Sequence, residues 1–344
     1  MSMTNPTRHP IDHVVDDDYL AACDRAWAVV RDHARSILAD VDATPYEAPD
    51  GHRAYCLRWL RRAAAMPTDE ARPWRGPGGV DGAPDDDAAP TLDLLAHAAG
   101  EYPAFLRGET SGPAILLAGE GLRLWYDYFG SGNGLYRPLN AAAADTVIDR
   151  LRAAGGSRLL EVGAGTGGAT GHLLAAWPDD VADVADVEYT VTDTSPRLLR
   201  ETREHLADRP PDHVRLDFRR FDLDLPPDRQ RVAPASFDVV VAVNAIHNAA
   251  DLGSSLRSLR SLLRPGGALV LSESICGPGA LVHQELILNL LPLPADAYGR
   301  LSRFHSRADW LAIFADAGVR AEVLVNSSGP ELVMTAVVTP GDPR

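Results

Sequence analysis

The sequence predicts an α/β fold: a doubly wound, mostly parallel sheet of seven strands that ends in an antiparallel hairpin and is preceded by a helical cap. Three observations carry this expectation. Leu159-Leu-Glu161-Val runs directly into Gly163-Ala164-Gly165-Thr-Gly167-Gly168, a strand entering a glycine turn. Beyond that turn, strand-like and helix-like segments alternate at the spacing of βαβ units. Ahead of it, apolar residues recur at three- and four-residue steps, with no strand signal.

In chain order, Leu20, Cys23, Trp27, Val30, Ala34 and Ile37 fall on one helical face, which predicts a helix over 18–40. A second helix is expected at about 51–66. Residues 67–90 collect Pro, Gly and Asp, a composition that breaks both periodicities and reads as a loop. Helices are then expected at 91–107, 113–129 and 140–154, and residues 1–140 form the cap. The core, 141–344, opens with a strand at 158–162 and a helix at 168–176. Strand 187–192, helix 196–206 and strands 214–221 and 237–243 follow. A helix at 252–263, stopped by Arg264-Pro-Gly-Gly267, leads to a strand at 268–272. A helix at 308–317 and two strands at 321–325 and 331–338, joined by Asn326-Ser-Ser-Gly-Pro330, complete it.

With 48 acidic against 33 basic side chains and a formal charge of −15, non-specific binding to nucleic acid or anionic lipid is disfavoured, because both need clustered Lys and Arg. Three widely spaced cysteines suggest neither a disulfide framework nor a zinc site. The opening residues hold no apolar run of signal length, and no stretch is long and apolar enough for a membrane span, so the cytoplasm is the expected location.

The glycine spacing also satisfies G-x-G-x-x-G, so a nicotinamide oxidoreductase is a rival reading. Glu161 tilts the choice. A carboxylate two residues before the first glycine repels a pyrophosphate but suits a cationic sulfonium, which points to S-adenosylmethionine. Asp193 ends the next strand and can accept from both ribose hydroxyls, with Thr194 beside it. Asp222 ends the third strand and can accept from an adenine amino group, while Phe221 flanks the base. Gly163, Ala164, Gly165, Gly167 and the strand-end Asn244 complete the expected cofactor site.

The buried strand 237–243 emerges at Asn244-Ala-Ile-His247, and the neighbouring strand delivers Glu273. Open α/β sheets present ligand chemistry at such carboxyl ends. Transfer of a methyl group to a carbon or hydroxyl acceptor requires that the acceptor lose a proton. His247 is a suitable base, and a carboxylate from Glu273 would fix its tautomer.

Residues 159–168, Asn244–His247, Leu262-Leu-Arg-Pro-Gly-Gly-Ala-Leu-Val-Leu-Ser-Glu273 and the upstream Trp125-Tyr-Asp-Tyr128 and Leu139-Asn140 together resemble the C-methyltransferase domains of polyketide synthases, over roughly 50–340. The resemblance implies a Rossmann-like class I methyltransferase in which His247 deprotonates the carbon between a ketone and a thioester and Glu273 orients it. It also implies that Tyr126, Tyr128 and Tyr136 reach the substrate from the cap. One departure is that the family's tryptophan-rich stretch after the glutamate strand is replaced by His283-Gln-Glu285 and an apolar run without Trp. The acceptor is then expected to be either a carrier-protein-tethered acyl group or a free small 2-oxo acid.

For the 2-oxo acid, His247, Glu273 and His283 are ligand types that can share a metal ion, although the favoured expectation is that no metal is bound. Arg300, Arg303, His305 and Arg307 lie close in sequence and can meet an anionic substrate. An O-methyltransferase acting on a hydroxyl is the runner-up, and a non-catalytic cofactor-binding protein stands as a reading from another class.

Overall fold

The computed structural model describes residues 11–43, 51–66, 86–130, 132–177, 186–207, 210–277, 282–293, 295–326 and 330–340. Of the expected loop at 67–90, residues 67–85 lie outside them, as do the turn residues 327–329, and residues 86–90 are helical instead. The chain forms two compact units. A sheet unit is built from Met1–Val14, Arg137–Ile275 and His305–Arg344, and a helical unit from Val15–Tyr136 and Cys276–Phe304. The expected core therefore lacks Cys276–Phe304, which clusters with the helices instead. That segment carries buried Leu286, Ile287, Leu288 and Leu290, an apolar run too irregular to announce its partner in the sequence.

The sheet unit opens with α6 (Arg137–Ala154) and then alternates: β1 (Arg158–Val162), α7 (Gly168–Ala176), β2 (Val187–Asp193), α8 (Pro196–His205), β3 (Val214–Arg220), β4 (Phe237–Val243), α9 (Leu252–Ser261), β5 (Leu263–Ser274), α11 (Arg307–Asp316), β6 (Ala321–Val325) and β7 (Val333–Val338). The seven strands lie in the order β3-β2-β1-β4-β5-β7-β6. All neighbours are parallel except β7, which is antiparallel to both β5 and β6. The purely parallel dinucleotide fold has no such inserted seventh strand. β4 is buried along its whole length, as a strand covered on both faces must be. On one face Leu269, Leu271, Met334, Ala336 and Val338 pack with Leu256 and Leu259 of α9 and Trp310 and Phe314 of α11.

Pro265-Gly266-Gly267, expected as a turn, lies inside β5. The β4–β5 register shifts opposite it, and Gly266 takes φ +81°. A Cβ on Gly267 would stand 2.7 Å from the Asp238 carbonyl oxygen, so the motif is an irregularity within a strand that only glycine permits.

The helical unit holds α1 (Asp17–Ala43), α2 (Gly51–Ala64), α3 (Ala89–Arg107), α4 (Gly112–Leu116), α5 (Gly119–Phe129) and the single turn α10 (Glu285–Leu288). The helix expected at 113–129 is broken in two. Ala118 is extended, Gly119 has φ +49°, and α5 folds back until a Cβ on Gly121 would lie 1.8 Å from the Ile115 oxygen. Among the described residues no helix is long and apolar enough to cross a membrane.

Candidate active site

The glycine turn is fixed by backbone and by space. Gly163, Gly165 and Gly167 have φ of +73°, +56° and +77°, a region that costs an L-residue about 1–2 kcal/mol. A Cβ on Gly163 would meet the Ala245 Cβ at 2.6 Å, and one on Gly167 the Thr202 Cγ2 at 2.5 Å. Around Gly165 there is open space within 4 Å, so a ligand can approach its backbone closely. The Ala164 N–H donates to the Thr192 carbonyl at 2.9 Å, and Thr202 Oγ1 donates to the Gly165 carbonyl at 3.0 Å. The turn thus hands the chain to the N-terminus of α7 in the manner of a nucleotide cradle.

Asp193 braces this turn from the end of β2. Its Oδ2 accepts from the Gly165 N–H at 2.9 Å and its Oδ1 from the Ser195 N–H at 2.8 Å. Two oxygens carry about four acceptor sites, so capacity remains for hydroxyl donors. Thr194 is exposed beside it. Glu161 differs from expectation. It is buried, and its Oε2 accepts from Thr170 Oγ1 at 2.6 Å and from the Tyr189 hydroxyl, while desolvation raises its pKa. Its carboxylate joins β1 to α7 and β2. Thr170 and Tyr189 were missed in the sequence because neither belongs to the glycine motif.

Phe221 also departs from its expected role. It is 2% exposed and packs in the apolar core with Ile246 and Leu256, because the chain turns inward as β3 ends. Asp222 is half-buried just past β3, with Oδ1 accepting from the Asp224 N–H at 3.0 Å. Asn244 takes φ +48°, its N–H donating to the Ser272 carbonyl at 2.7 Å and its Oδ1 accepting from the Ser274 N–H at 3.2 Å. It ties the end of β4 to β5 and turns the chain toward His247.

His247 and Glu273 meet as the strand ends predict. His247 lies in a single 3₁₀ turn, Ile246–Asn248, and its Nδ1 is 2.6 Å from Glu273 Oε2. The other carboxylate oxygen, Oε1, accepts from the backbone N–H groups of Ala245 and Ile246 at 3.1 and 3.0 Å. The pair is 4% and 0% exposed. Three hydrogen bonds fix the carboxylate, the carboxylate fixes the imidazole, and Nε2 becomes the basic ring nitrogen. The two backbone donors left no mark in the sequence, since any residue at 245 and 246 supplies them.

The expected acceptor residues fall in both units. Tyr126, Tyr128, Tyr136, His283, Arg300 and Arg303 belong to the helical unit and His305 to the sheet unit. Tyr128 is fully buried, with ring centroids 5.7 Å from Tyr136 and 4.8 Å from Phe129. Tyr126 is half-buried on α5. Arg303 is buried, its Nη1 donating to the Leu288 carbonyl and its N–H to Glu285 Oε1 at 2.8 Å. Arg300 Nη1 donates to the Phe304 carbonyl at 3.2 Å. His305 packs edge-on against Trp310, and Arg307 pairs with Glu331 at 3.3 Å. The expected cationic residues are divided between the two units, because the chain passes from one to the other within this stretch.

His283 is buried in the turn before α10. Burial lowers its pKa to about 4, and its Nε2 has no hydrogen-bond partner among the described residues. Among the described residues no group of three or more His, Cys, Asp or Glu is arranged to hold a metal. The hydrogen bonds of Glu273 give the shared-metal expectation no support.

Residues 160–269 match the methyltransferase domain family model. Over 121 residues the chain is 40% identical to a highly reducing polyketide synthase of Gibberella zeae, a stretch covering 34% of this chain and 5% of that protein. The chain thus spans a small fraction of the curated relatives it matches. The crystal structure of the DszA carbon methyltransferase superposes with a TM-score of 0.73 at 24% identity, covering 97% of this chain and 94% of that one. That of the trans-methyltransferase CalH in complex with S-adenosylhomocysteine gives 0.68 at 21%, covering 97% and 92%. Residues 160–269 thus read as a methyltransferase domain, and the chain is similar to polyketide-synthase proteins in sequence and to carbon methyltransferases in fold. The open glycine cradle and the acceptor carboxylate of Asp193 fit S-adenosylmethionine.

Proposed function

We propose that this methyltransferase is a C-methyltransferase that acts on the acidic carbon of an acyl substrate, with His247 as general base and Glu273 as its orienting carboxylate. The single observation that carries the reading is the Nδ1–Oε2 contact of 2.6 Å, set on a carboxylate whose other oxygen is anchored by two backbone N–H groups. A carbon acid flanked by carbonyls must lose its proton before it can act as a nucleophile, whereas many oxygen and nitrogen nucleophiles need less help. In this arrangement Nδ1–H donates to Glu273 and Nε2 takes the proton from the substrate carbon. The C–H electron pair becomes an enolate, and Glu273 stabilises the imidazolium that forms. Bound S-adenosylmethionine supplies the electrophilic methyl group, released with loss of S-adenosylhomocysteine. The proton then passes from His247 to solvent, which restores the base.

The acceptor favoured here is a 3-oxoacyl thioester held on a carrier protein. The relatives that match are polyketide synthases, and one superposing structure is described as a trans-methyltransferase. A free 2-oxo acid would need a counter-charge, and of the arginines expected to provide it Arg303 donates to the Leu288 carbonyl and Arg307 pairs with Glu331. The test is incubation with cofactor and a panel of carrier-bound 3-oxoacyl thioesters, free 2-oxo acids and phenols, with mass spectrometry locating the new methyl. The expected product carries it on the carbon between ketone and thioester. Methylation confined to a hydroxyl would sink the carbon-acid reading, and turnover of the 2-oxo acids alone would reassign the acceptor.

A further inference from the structure

Asn140, in the first turn of α6, is 1% exposed, and neither its Nδ2 nor its Oδ1 has a hydrogen-bond partner among the described residues. A buried amide with both halves unmatched is uncommon in a folded chain and disfavours the state that contains it. Position explains why it persists. Gly156, just past the end of α6, lies so close to Asp238 at the start of β4 that a Cβ would stand 2.5 Å from its Cβ. At the other end of the helix, Ser272 Oγ donates to the Leu139 carbonyl at 2.8 Å, one residue before Glu273. The helix thus runs opposite to the parallel strands, and its first turn lies at their carboxyl ends. Asn140 heads the buried stripe of Ala144, Val147 and Leu151, next to Leu139, whose carbonyl meets the partner of Val243, the last residue of β4. α6 packs on β4, β5 and α7, the helix that begins at the glycine turn.

We infer that Asn140 binds the α-amino acid end of S-adenosylmethionine, its Oδ1 accepting from the ammonium and its Nδ2 donating to the carboxylate. A ketone or thioester acceptor offers lone pairs alone and would leave Oδ1 unmatched, whereas a zwitterionic amino acid presents one donor group and one acceptor group. The sheet order supports this direction. Asp193 and Asp222 stand at the ends of β2 and β3, on one side of β1, and α6 covers β4 and β5 on the other. A ligand whose ribose lies over β2 and whose chain crosses the glycine turn brings its amino acid end to Asn140. This assignment rests on S-adenosylmethionine as cofactor and is independent of which acceptor is methylated.

Calorimetric titration of the full chain, with S-adenosylhomocysteine and with 5′-methylthioadenosine as probes, tests it. The second probe lacks the amino acid end. Asn140→Leu and Asn140→Asp should each bind S-adenosylhomocysteine about ten- to a hundredfold more weakly, as loss of charge-assisted hydrogen bonds implies, and bind methylthioadenosine within twofold of wild type. Without ligand, Asn140→Leu should melt at or above the wild-type temperature, since it removes an unmatched amide. Equal losses for both probes would mark a structural role and overturn the assignment, as would undiminished S-adenosylhomocysteine affinity. If Asn140→Leu fails to fold, the near-isosteric Asn140→Asp carries the same comparison. A wild-type chain that binds neither probe overturns both this assignment and the cofactor on which it rests.

Discussion

The sheet unit and the helical unit both bury carboxylates, but they use them differently. In the sheet unit, Glu273 and Asp193 stand at strand ends and hold other groups in position: an imidazole, a glycine N–H, the start of a helix. In the helical unit, Glu285 is turned inward, with Oε1 accepting from Ser302 Oγ and the Arg303 N–H, each at 2.8 Å, and Oε2 from the Val282 N–H at 2.8 Å. Burial raises its pKa and lowers that of the neighbouring Arg303. The first arrangement stands at the carboxyl ends of the strands. The second closes an irregular segment onto itself.

The largest expected effect separates the two uses. Glu273→Gln keeps the shape and the backbone contacts but offers N–H where Nδ1 now donates, which forces the proton onto Nε2. Methyl transfer should fall by about 10²–10⁴ with cofactor affinity unchanged, as initial rates and titration will show. His247→Ala should fall as far, and retained turnover would remove the base assignment.

Glu285→Ala should do the reverse. Three buried hydrogen bonds disappear, so stability should drop by about 3 kcal/mol or more in denaturant titration, with no tautomer effect on the residual activity. If Glu285→Ala were neutral, the contrast between the units would collapse. Gly163→Ala should cost about 2–3 kcal/mol, from its positive φ and the close approach of Ala245 together, and should weaken cofactor binding alongside.

The smallest effect is a pH dependence. His283 is held neutral, its pKa depressed by burial to about 4. As pH falls below about 6.5 the unfolded chain takes up this proton first, so stability present above that pH is lost on the way down to about 4. Between pH 7 and pH 5 this contributes about 2 kcal/mol of destabilisation. His283→Leu should melt with a correspondingly flatter acid limb, and an unchanged limb would show that the imidazole is not held neutral.

The sheet unit was legible almost element by element because its signals are local and mutually constraining. A strand must enter the glycine turn, and a fully apolar strand must precede His247. β1, α7, β4 and β6 begin and end as expected. The positions of Asp193 and Glu273 at strand ends followed from the strand pattern. Phe221 did not, since one residue past a strand the chain can turn either way. The helical unit was legible as helices but not as an arrangement. Nothing in Leu286–Leu290 says which surface covers it, and proximity in sequence grouped Arg303 with Arg307 although the chain changes unit between them.

The helical unit is drawn from two stretches far apart in the chain, Val15–Tyr136 and Cys276–Phe304, and this limits how the protein can be dissected. Cutting at Arg137 to isolate the methyltransferase core would keep Cys276–Phe304 while discarding α1–α5. His52 Nε2 and Cys56 Sγ, which meet the Asn289 carbonyl at 2.8 and 3.1 Å, would be gone. Gly112, whose missing side chain lets the Leu290 backbone pass, would go with them. Removing the helical unit whole would instead mean excising both stretches and bridging Ile275 to His305.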